Sequence, residues 1–230
     1  MLRPRPETKR RVTVIGLGRF GRSVARTLHE LRYEVLAIDV GERQVAEARE
    51  FAALAAQGDG TDEELLRSLQ VERSTAAIVA QGSHLETSIL ATLVLKRIGV
   101  PWVVAKATNE LHGEVLWRVG ADRVIFPERD AGVRLAHTLG VPRIDDYISL
   151  SPTSGVAKFG APPGLTGRTV AEAHAARGAQ LSVLALKRGR QVIATPSLSE
   201  RIEPGDELVV IGPDAEIEAF VDLGSDGSRP

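Results

Sequence analysis

The sequence predicts an α/β protein: a Rossmann-like, doubly wound parallel sheet followed by a small α+β domain. Two observations support this fold class. Between residues 11 and 140, six short apolar runs alternate with six helical stretches, which is typical of parallel sheets with right-handed crossovers. Beyond residue 153, strand-like runs predominate and the alternation stops.

The predicted strands of the first domain are rich in β-branched and small apolar residues, as expected for parallel strands buried on both faces. They are VTVIG, EVLAID, AALAAQ, AAIVAQ, WVVAKA and RVIF. The predicted helices span residues 19–31, 42–51, 61–69, 85–98, 109–119 and 129–139. Together they form a nucleotide-binding domain over residues 11–140.

The second domain is predicted over residues 153–222. Its strand signals are GVAKFG, a hairpin in LSVLALKRGRQVIA, and DELVVIG, with helices beginning near Thr169 and spanning 214–221. Residues 141–152 contain two prolines and little periodicity, so we predict a linker there. Residues 1–10 and 223–230 are predicted to be flexible tails.

Composition excludes several classes of protein. Lys and Arg total 29 against 30 Asp and Glu, which gives no reason to expect a nucleic-acid partner. The chain has no cysteine, so disulfides and thiol chemistry are excluded. The longest hydrophobic run, residues 51–56, is far shorter than the roughly 20 residues of a membrane span. We expect a cytoplasmic protein that does not insert directly into a membrane.

The first strand leads into GLGRFG, a G-x-G-x-x-G motif at residues 16–21. Gly16 allows the tight turn, Gly18 allows a pyrophosphate to approach the backbone, and Gly21 allows close packing of helix and strand. The helix N-terminus offers unpaired N–H groups and a positive dipole end to phosphates. The alternative interpretation is that the three glycines only pack a tight turn.

Asp39 closes the second predicted strand. At that position a carboxylate can accept hydrogen bonds from both hydroxyls of a ribose, and it would repel the 2′-phosphate of NADP. Asp39 is therefore predicted to bind the sugar of ATP, ADP or NAD.

GDGTDEELL follows the third strand at residues 58–66. Thr61 or Asp62 can cap the next helix, which explains most of this stretch. Capping does not require Asp59 and Gly60, which follow the strand where the base of a nucleotide would lie. Gly82, after the fourth strand, is similarly open to a turn role or a site role.

Arg19 is predicted in the first turn of the first helix, with Arg22 close behind. A positive charge there opposes the helix dipole by about 0.3–1 kcal/mol, and a bound phosphate would reverse the sign. Because helical side chains lean toward the N-terminus, Arg19 can reach its own turn or the phosphate of a neighbouring subunit. The alternative is a solvated arginine that tolerates the penalty.

With these motifs in place, the chain resembles the RCK (KTN) family of cytosolic regulators of potassium channels and transporters, and most of all KtrA/TrkA-type subunits. The resemblance rests on IGLGRFG, EVLAID, GDGTDEELL, VGADRVIFPERDAGVRLA and, in the second domain, LSVLALKRG with GDELVVIG. It covers roughly residues 11–221. One departure is Gly60, where the family often has alanine, and we expect it to loosen the loop.

The resemblance implies a protein that binds ATP or ADP, in some members NAD or NADH, and regulates a membrane-embedded potassium transporter subunit of the KtrB/TrkH type. It implies a homodimer, paired through a crossover helix, that assembles into an octameric ring on the inner face of the membrane. Arg19 matches the family arginine that contacts a terminal phosphate of ATP, and Lys106 a lysine near the phosphates. Glu128 matches an acidic residue that helps to hold Mg²⁺ or Ca²⁺. The predicted nucleotide-binding residues are Gly16, Gly18, Arg19, Phe20, Gly21, Asp39, Asp59, Gly60, Thr61 and Lys106.

Two other functions are open to a dinucleotide-type fold. An NAD-dependent oxidoreductase needs a general acid or base beside the nicotinamide, and only His84 follows a strand where it could act. The second domain shows no obvious substrate pocket, so we expect no enzymatic activity. A DNA-binding repressor would need a basic helix-turn-helix, which the sequence lacks.

Overall fold

The computed structural model describes residues 10–81, 85–140, 143–175 and 181–223. The chain divides into two compact units, and the division falls between Glu128 and Arg129. In the residues described, no helix combines the length and apolar character needed to cross a bilayer.

The first unit is built on a six-stranded parallel sheet in the order β3-β2-β1-β4-β5-β6, which confirms the predicted doubly wound fold. The strands are β1 Arg11–Ile15, β2 Glu34–Asp39, β3 Leu54–Gln57, β4 Ala76–Val79, β5 Val103–Lys106 and β6 Arg123–Ile125. The helices are α1 Arg19–Glu30, α2 Glu42–Ala48, α3 Glu63–Ser68, α4 Leu85–Arg97 and α5 Glu110–Arg118. A sixth helix, α6 Pro127–Gly140, begins at the end of this unit and continues into the second. A 3-10 turn, Val71–Arg73, precedes β4.

Two apolar clusters cover the opposite faces of this sheet. One includes Ile38, Val79 and Leu95, and the other includes Val14, Ala37 and Ala25, all of them fully or almost fully buried. Strands buried on both faces need apolar side chains on both, which is why the predicted runs do not alternate with polar residues.

Side-chain caps fix the starts of α3 and α5. Asp62 accepts hydrogen bonds from the backbone N–H groups of Glu64 and Leu65, so Asp62, not Thr61, caps α3. Asn109 caps α5 by accepting from His112 N at 2.8 Å. Helix α6 begins at Pro127, two residues before the predicted start, because the fixed φ of proline suits the first helical position.

The second unit contains a five-stranded antiparallel sheet in the order β10-β9-β11-β8-β7. Its strands are β7 Ile144–Ser151, β8 Ser154–Gly160, β9 Ser182–Arg188, β10 Gln191–Ala194 and β11 Glu207–Pro213, with helices α7 Val170–Ala175 and α8 Asp214–Val221. The predicted strands, hairpin and helices of this domain are confirmed. Phe159 and Phe220 meet edge to face in its core, with ring centroids 6.2 Å apart.

The linker predicted over residues 141–152 is wrong for residues 144–151, which form β7. The two prolines flank this strand without interrupting it, and Ile144 and Tyr147 are buried against the core. Pairing with β8 stabilises this strand, which its own hydrophobic periodicity does not indicate. The predicted tails lie almost entirely outside the described residues.

Candidate functional site

The predicted site residues follow the carboxyl ends of the strands of the parallel sheet. The glycine turn follows β1, Asp39 ends β2, residues 59–61 follow β3, Lys106 ends β5, and Glu128 follows β6. The strand order reverses between β1 and β4, and ligands of doubly wound sheets bind at that switch point. The topology therefore brings residues from five strand ends to one edge.

The glycine turn has the geometry that the motif predicts. Gly16 has a φ of +90°, which favours glycine. A Cβ at Gly21 would collide with the carbonyl oxygen of Gly16, so helix and turn approach as closely as glycine permits. A Cβ at Gly18 would meet nothing within 4 Å, and the backbone there is open to an incoming group.

Helix α1 presents an uncompensated positive end at this turn. Gly18 is the N-cap residue and provides no side-chain cap, and the first turn contains no acidic residue. Arg22 is neutralised by an ion pair with Glu47 of α2. Arg19 is exposed beside the turn. An anionic group at this position would be favoured by both the dipole and Arg19.

The carboxylate of Asp39 holds the glycine turn in place. Its Oδ2 accepts a hydrogen bond from Leu17 N at 2.5 Å, and its Oδ1 accepts from Gly41 N at 2.8 Å. The predicted ribose contact does not require these bonds to break, because an ionised carboxylate offers about four acceptor positions. Asp39 therefore both braces the turn and stands at the place of the predicted sugar.

The loop after β3 is tightly organised. Asp59 Oδ1 accepts from the backbone N and the Oγ1 of Thr61, each at 2.9 Å. The expectation that Gly60 loosens this loop is wrong: Gly60 is buried, and a Cβ there would collide with Cγ2 of the buried Ile15. The glycine lets the loop pack directly on the end of β1.

Lys106 lies at the centre of a charged cluster whose members are far apart in the sequence. Only 9% of the residue is exposed, its Nζ is 2.5 Å from Glu128 Oε1, and it lies 5.7 Å from the centroid of the Phe20 ring. The hydrogen bond from Lys106 lowers the pKa of Glu128, and the positive charge of Arg19 lowers it further. Both cations thus act on one carboxylate beside the glycine turn.

The described residues of one chain do not form a complete divalent-cation site, and the role of Glu128 in holding a cation stays a prediction. Glu128 is bound to an ammonium group, and the described residues contain no cluster of three or more His, Cys, Asp or Glu side chains that could hold a metal ion. Mg²⁺ and Ca²⁺ require several oxygen ligands. Glu128 alone does not meet this requirement.

Sequence reasoning missed two features of this edge. Gln81 follows β4, its Oε1 is buried without a hydrogen-bond partner among the described residues, and its Cγ would lie 2.8 Å from a Cβ on Gly16. The sequence signal for Gln81 was its position at the end of a predicted strand. The second feature is a buried contact between Ser88 and His112, for which the sequence offers no motif.

The histidines give little support to oxidoreductase chemistry. His84 and Gly82 lie outside the described residues. His174 is committed to the fold, because its Nε2 accepts a hydrogen bond from Val183 N at 3.1 Å. In the second domain, a shallow, open groove of about 550 Å³ is lined by Gly167, Arg168, Glu172, Ala175 and Arg201, so the absence of an obvious substrate pocket stays a prediction.

Comparison with known proteins identifies the same two units. Residues 12–127 match the TrkA-N domain and residues 157–223 match the TrkA-C domain. The chain is 38% identical to Ktr system potassium uptake protein C of Bacillus subtilis, over 92% of this chain and 96% of that protein. It is 34% identical to Ktr system potassium uptake protein A of Vibrio alginolyticus, over 87% and 91% of the two chains.

Solved structures agree on the fold. The crystal structure of the GsuK RCK domain superposes with a TM-score of 0.64 at 19% identity, covering 98% of this chain and 50% of that one. The GsuK channel bound to NAD gives a TM-score of 0.62 at 18% identity, covering 98% and 41%.

Proposed function

Because the chain belongs to the family that combines TrkA-N and TrkA-C domains, we propose that it is a nucleotide-responsive regulatory subunit of a membrane potassium uptake system, without chemistry of its own. Its relatives at 38% and 34% identity are named as Ktr system potassium uptake proteins and match it over nearly their whole length. The partner we propose is a membrane-embedded subunit of the KtrB/TrkH type, at the cytoplasmic face of the membrane.

The observation that carries this proposal is the convergence of the glycine turn, Asp39 and Lys106 on one sheet edge. The turn offers the open helix end and exposed backbone that phosphates require. Asp39 offers acceptors for a ribose, and Lys106 offers a buried positive charge. ATP, ADP, NAD and NADH each carry the ribose and diphosphate that this set would bind, and of these only ATP has the terminal phosphate for the proposed contact with Arg19.

The bound phosphate competes with Glu128 for Lys106. Lys106 is almost buried and needs a counter-charge, whereas the Glu128 side chain is 71% exposed and can be solvated instead. Exchange of partners would release Glu128, which lies in the first turn of α6 and is the last residue of the first unit. Nucleotide binding would thereby change the contacts of Glu128 at the start of α6.

Regulation then follows from a shift between two shapes of an assembly. We propose a homodimer that forms an octameric ring, in which Arg19 of one subunit reaches the terminal phosphate held by a neighbour. Near-complete switching needs about 10⁴-fold preferential binding, or about 5.5 kcal/mol. Charge-assisted hydrogen bonds of about 1.5–3 kcal/mol each supply this if they form in one shape only. A divalent cation would need carboxylates from a second subunit besides Glu128.

Calorimetric titration of the purified protein with ATP, ADP, NADH and NADPH tests the ligand. We expect adenine nucleotides to bind and NADPH to bind most weakly, and the absence of binding by every nucleotide would refute the proposed site. Small-angle scattering with ATP and with ADP tests the shape change, and superimposable profiles would refute it. Potassium uptake by vesicles that contain the transporter, with and without this subunit, tests the partner.

A further inference from the structure

His112 connects two turns at the carboxyl edge of the parallel sheet. Its Nε2 is 2.8 Å from Ser88 Oγ on α4, and its Nδ1 accepts from Thr108 N at 3.3 Å, just after β5. His112 is 3% exposed, and Ser88 is fully buried. Neither contact is needed to complete a helix or a strand.

The hydrogen-bond pattern fixes the position of the proton. A backbone N–H only donates, so Nδ1 must accept from Thr108 and the proton must reside on Nε2. Nε2–H then donates to Ser88 Oγ, whose own proton goes to Leu85 O at 2.8 Å. This chain of three hydrogen bonds is complete only with a neutral imidazole.

The two turns that His112 joins are the first turn of α4 and the turn after β5, and both belong to the β4 side of the glycine turn. Leu85 is the first residue of α4, which follows β4 in the chain, and β4 pairs with β1. Thr108 lies two residues after Lys106, and β5 pairs with β4. The imidazole thus fixes the backbone that follows the strand carrying Lys106.

Protonation of His112 disrupts this connection. Nδ1 becomes a donor and faces the N–H of Thr108, and only Thr108 Oγ1, 3.3 Å away, remains as an acceptor. Burial lowers the pKa of His112, because the charged form is poorly solvated there. None of the charged residues on the surrounding elements is a cause of that lowering: Glu86, Lys96 and Arg97 on α4, Lys106 on β5, and Glu110, Glu114 and Arg118 on α5.

We infer that His112 is a positioning residue of the nucleotide site, and that its neutral form holds the β5–α5 turn, and with it Lys106, in the geometry that binds phosphate. The inference rests on the proposed function. Nucleotide binding then favours the neutral imidazole, and by linkage a proton taken up by His112 weakens nucleotide binding.

Titration of ADP across a pH series tests this. Because burial lowers the pKa of His112, the series runs from about pH 8 down to about pH 4.5, and we expect the wild-type affinity to fall by up to about tenfold for each unit below the pKa of His112 in the free protein. His112→Gln carries no titrating group, so its profile should be flatter. His29→Gln makes the same change at an exposed histidine on α1 and should follow the wild type. Protonation of ADP itself changes the affinity of all three proteins alike, so it does not alter the comparison between them.

Ser88→Ala provides a second variant should His112→Gln not fold. It retains the imidazole but removes the acceptor for Nε2–H. Nε2 carries a proton in both the neutral and the charged imidazole, and the charged donor binds its acceptor more strongly, so the loss of affinity should begin at a lower pH than in the wild type. Parallel profiles for wild type and His112→Gln, or an unchanged onset in Ser88→Ala, would overturn the inference alone. Failure of the wild type to bind ADP at about pH 8 would overturn the proposed function, and the inference with it.

Discussion

Lys106 and Glu128 form an ion pair in which the lysine is buried and the carboxylate is exposed. The distance from Nζ to Oε1 is 2.5 Å, and the two side chains are 11% and 71% exposed. An ammonium group removed from water depends on its counter-charge, while an exposed carboxylate does not. A phosphate can therefore replace Glu128 as the counter-charge of Lys106. The exposed carboxylate of Glu128 then loses little, because water solvates it.

Glu128→Gln should raise the affinity for ADP, because the nucleotide no longer has to displace a carboxylate from Lys106. Because the Glu128 carboxylate is largely exposed, we take the competing contact to be worth about 1 kcal/mol, which corresponds to about fivefold in affinity. Lys106→Met should lower the affinity by about ten- to a hundredfold through loss of a charge-assisted hydrogen bond. Calorimetry at constant ionic strength measures both changes.

The double variant distinguishes competition from a general charge effect. In the Lys106→Met background, Glu128→Gln should no longer raise the affinity. An equal gain in both backgrounds would mean that Glu128 repels the nucleotide directly, without involving Lys106.

Gly18→Ala should separate folding from binding. A Cβ at Gly18 meets nothing within 4 Å and φ is −61°, so the fold should tolerate alanine and even gain about 0.4–1 kcal/mol from a stiffer unfolded chain. The same methyl group would stand where a phosphate approaches, and ADP affinity should fall. Gly21→Ala is the matched contrast, because its Cβ collides with Gly16 and should lower the melting temperature. Unchanged ADP binding in Gly18→Ala would place the phosphate elsewhere.

The parallel half of the fold was predictable because short apolar strands alternate with helices, and strands such as β1 and β2 are apolar on both faces. The glycine turn was equally predictable, since Gly16 has a positive φ and Gly21 lies too close to Gly16 for a Cβ. Strand β7 was not, because its own sequence shows little periodicity, and pairing with the adjacent β8 and core burial of Ile144 and Tyr147 order it. Tertiary context determines such a strand more than its own sequence does.

The electrostatics of the site could not be predicted from the sequence. Lys106 looks like a solvated charge at a strand end until the fold buries it beside Phe20 and pairs it with Glu128. Likewise, nothing local to His112 indicates that Ser88 and Thr108 close around it. Such contacts depend on where the fold places neighbouring strand ends. The spacing of the residues along the sequence does not indicate that placement.

Arg19→Ala should narrow the difference in affinity between ATP and ADP in the assembled protein. Arg19 is exposed beside the helix end, so its guanidinium is available to a phosphate from another subunit. Because ADP lacks the terminal phosphate, the ATP affinity should fall by about tenfold or more, with less change for ADP. Arg43→Ala removes an 83% exposed arginine from α2 and serves as the matched control. Equal losses for ATP and ADP would contradict the assigned contact.

Asp206 should be the main polar determinant of stability in the second unit. Its fully buried carboxylate accepts two hydrogen bonds from Arg188, each 2.9 Å long, and a third from Glu203 N at 2.9 Å. Asp206→Asn removes the buried carboxylate and weakens its charge-assisted hydrogen bonds with Arg188, which keeps its ion pairs with Glu200 and Glu203. We expect a loss of about 1.5–3 kcal/mol of unfolding free energy, measured by scanning calorimetry. Glu218→Gln, at an exposed position on α8, should leave the transition unchanged.

The pH dependence of this loss identifies its cause. The hydrogen bonds from Arg188 hold the pKa of Asp206 below its ordinary value of 3.8. A carboxyl group with a lowered folded-state pKa stabilises the protein fully above the unfolded value and loses that contribution as the pH falls through the folded value. The difference between wild type and Asp206→Asn should therefore be constant at neutral pH and shrink below pH 3.8. A difference that persists undiminished under these acidic conditions would show that packing, and not the charge on Asp206, supports the second unit.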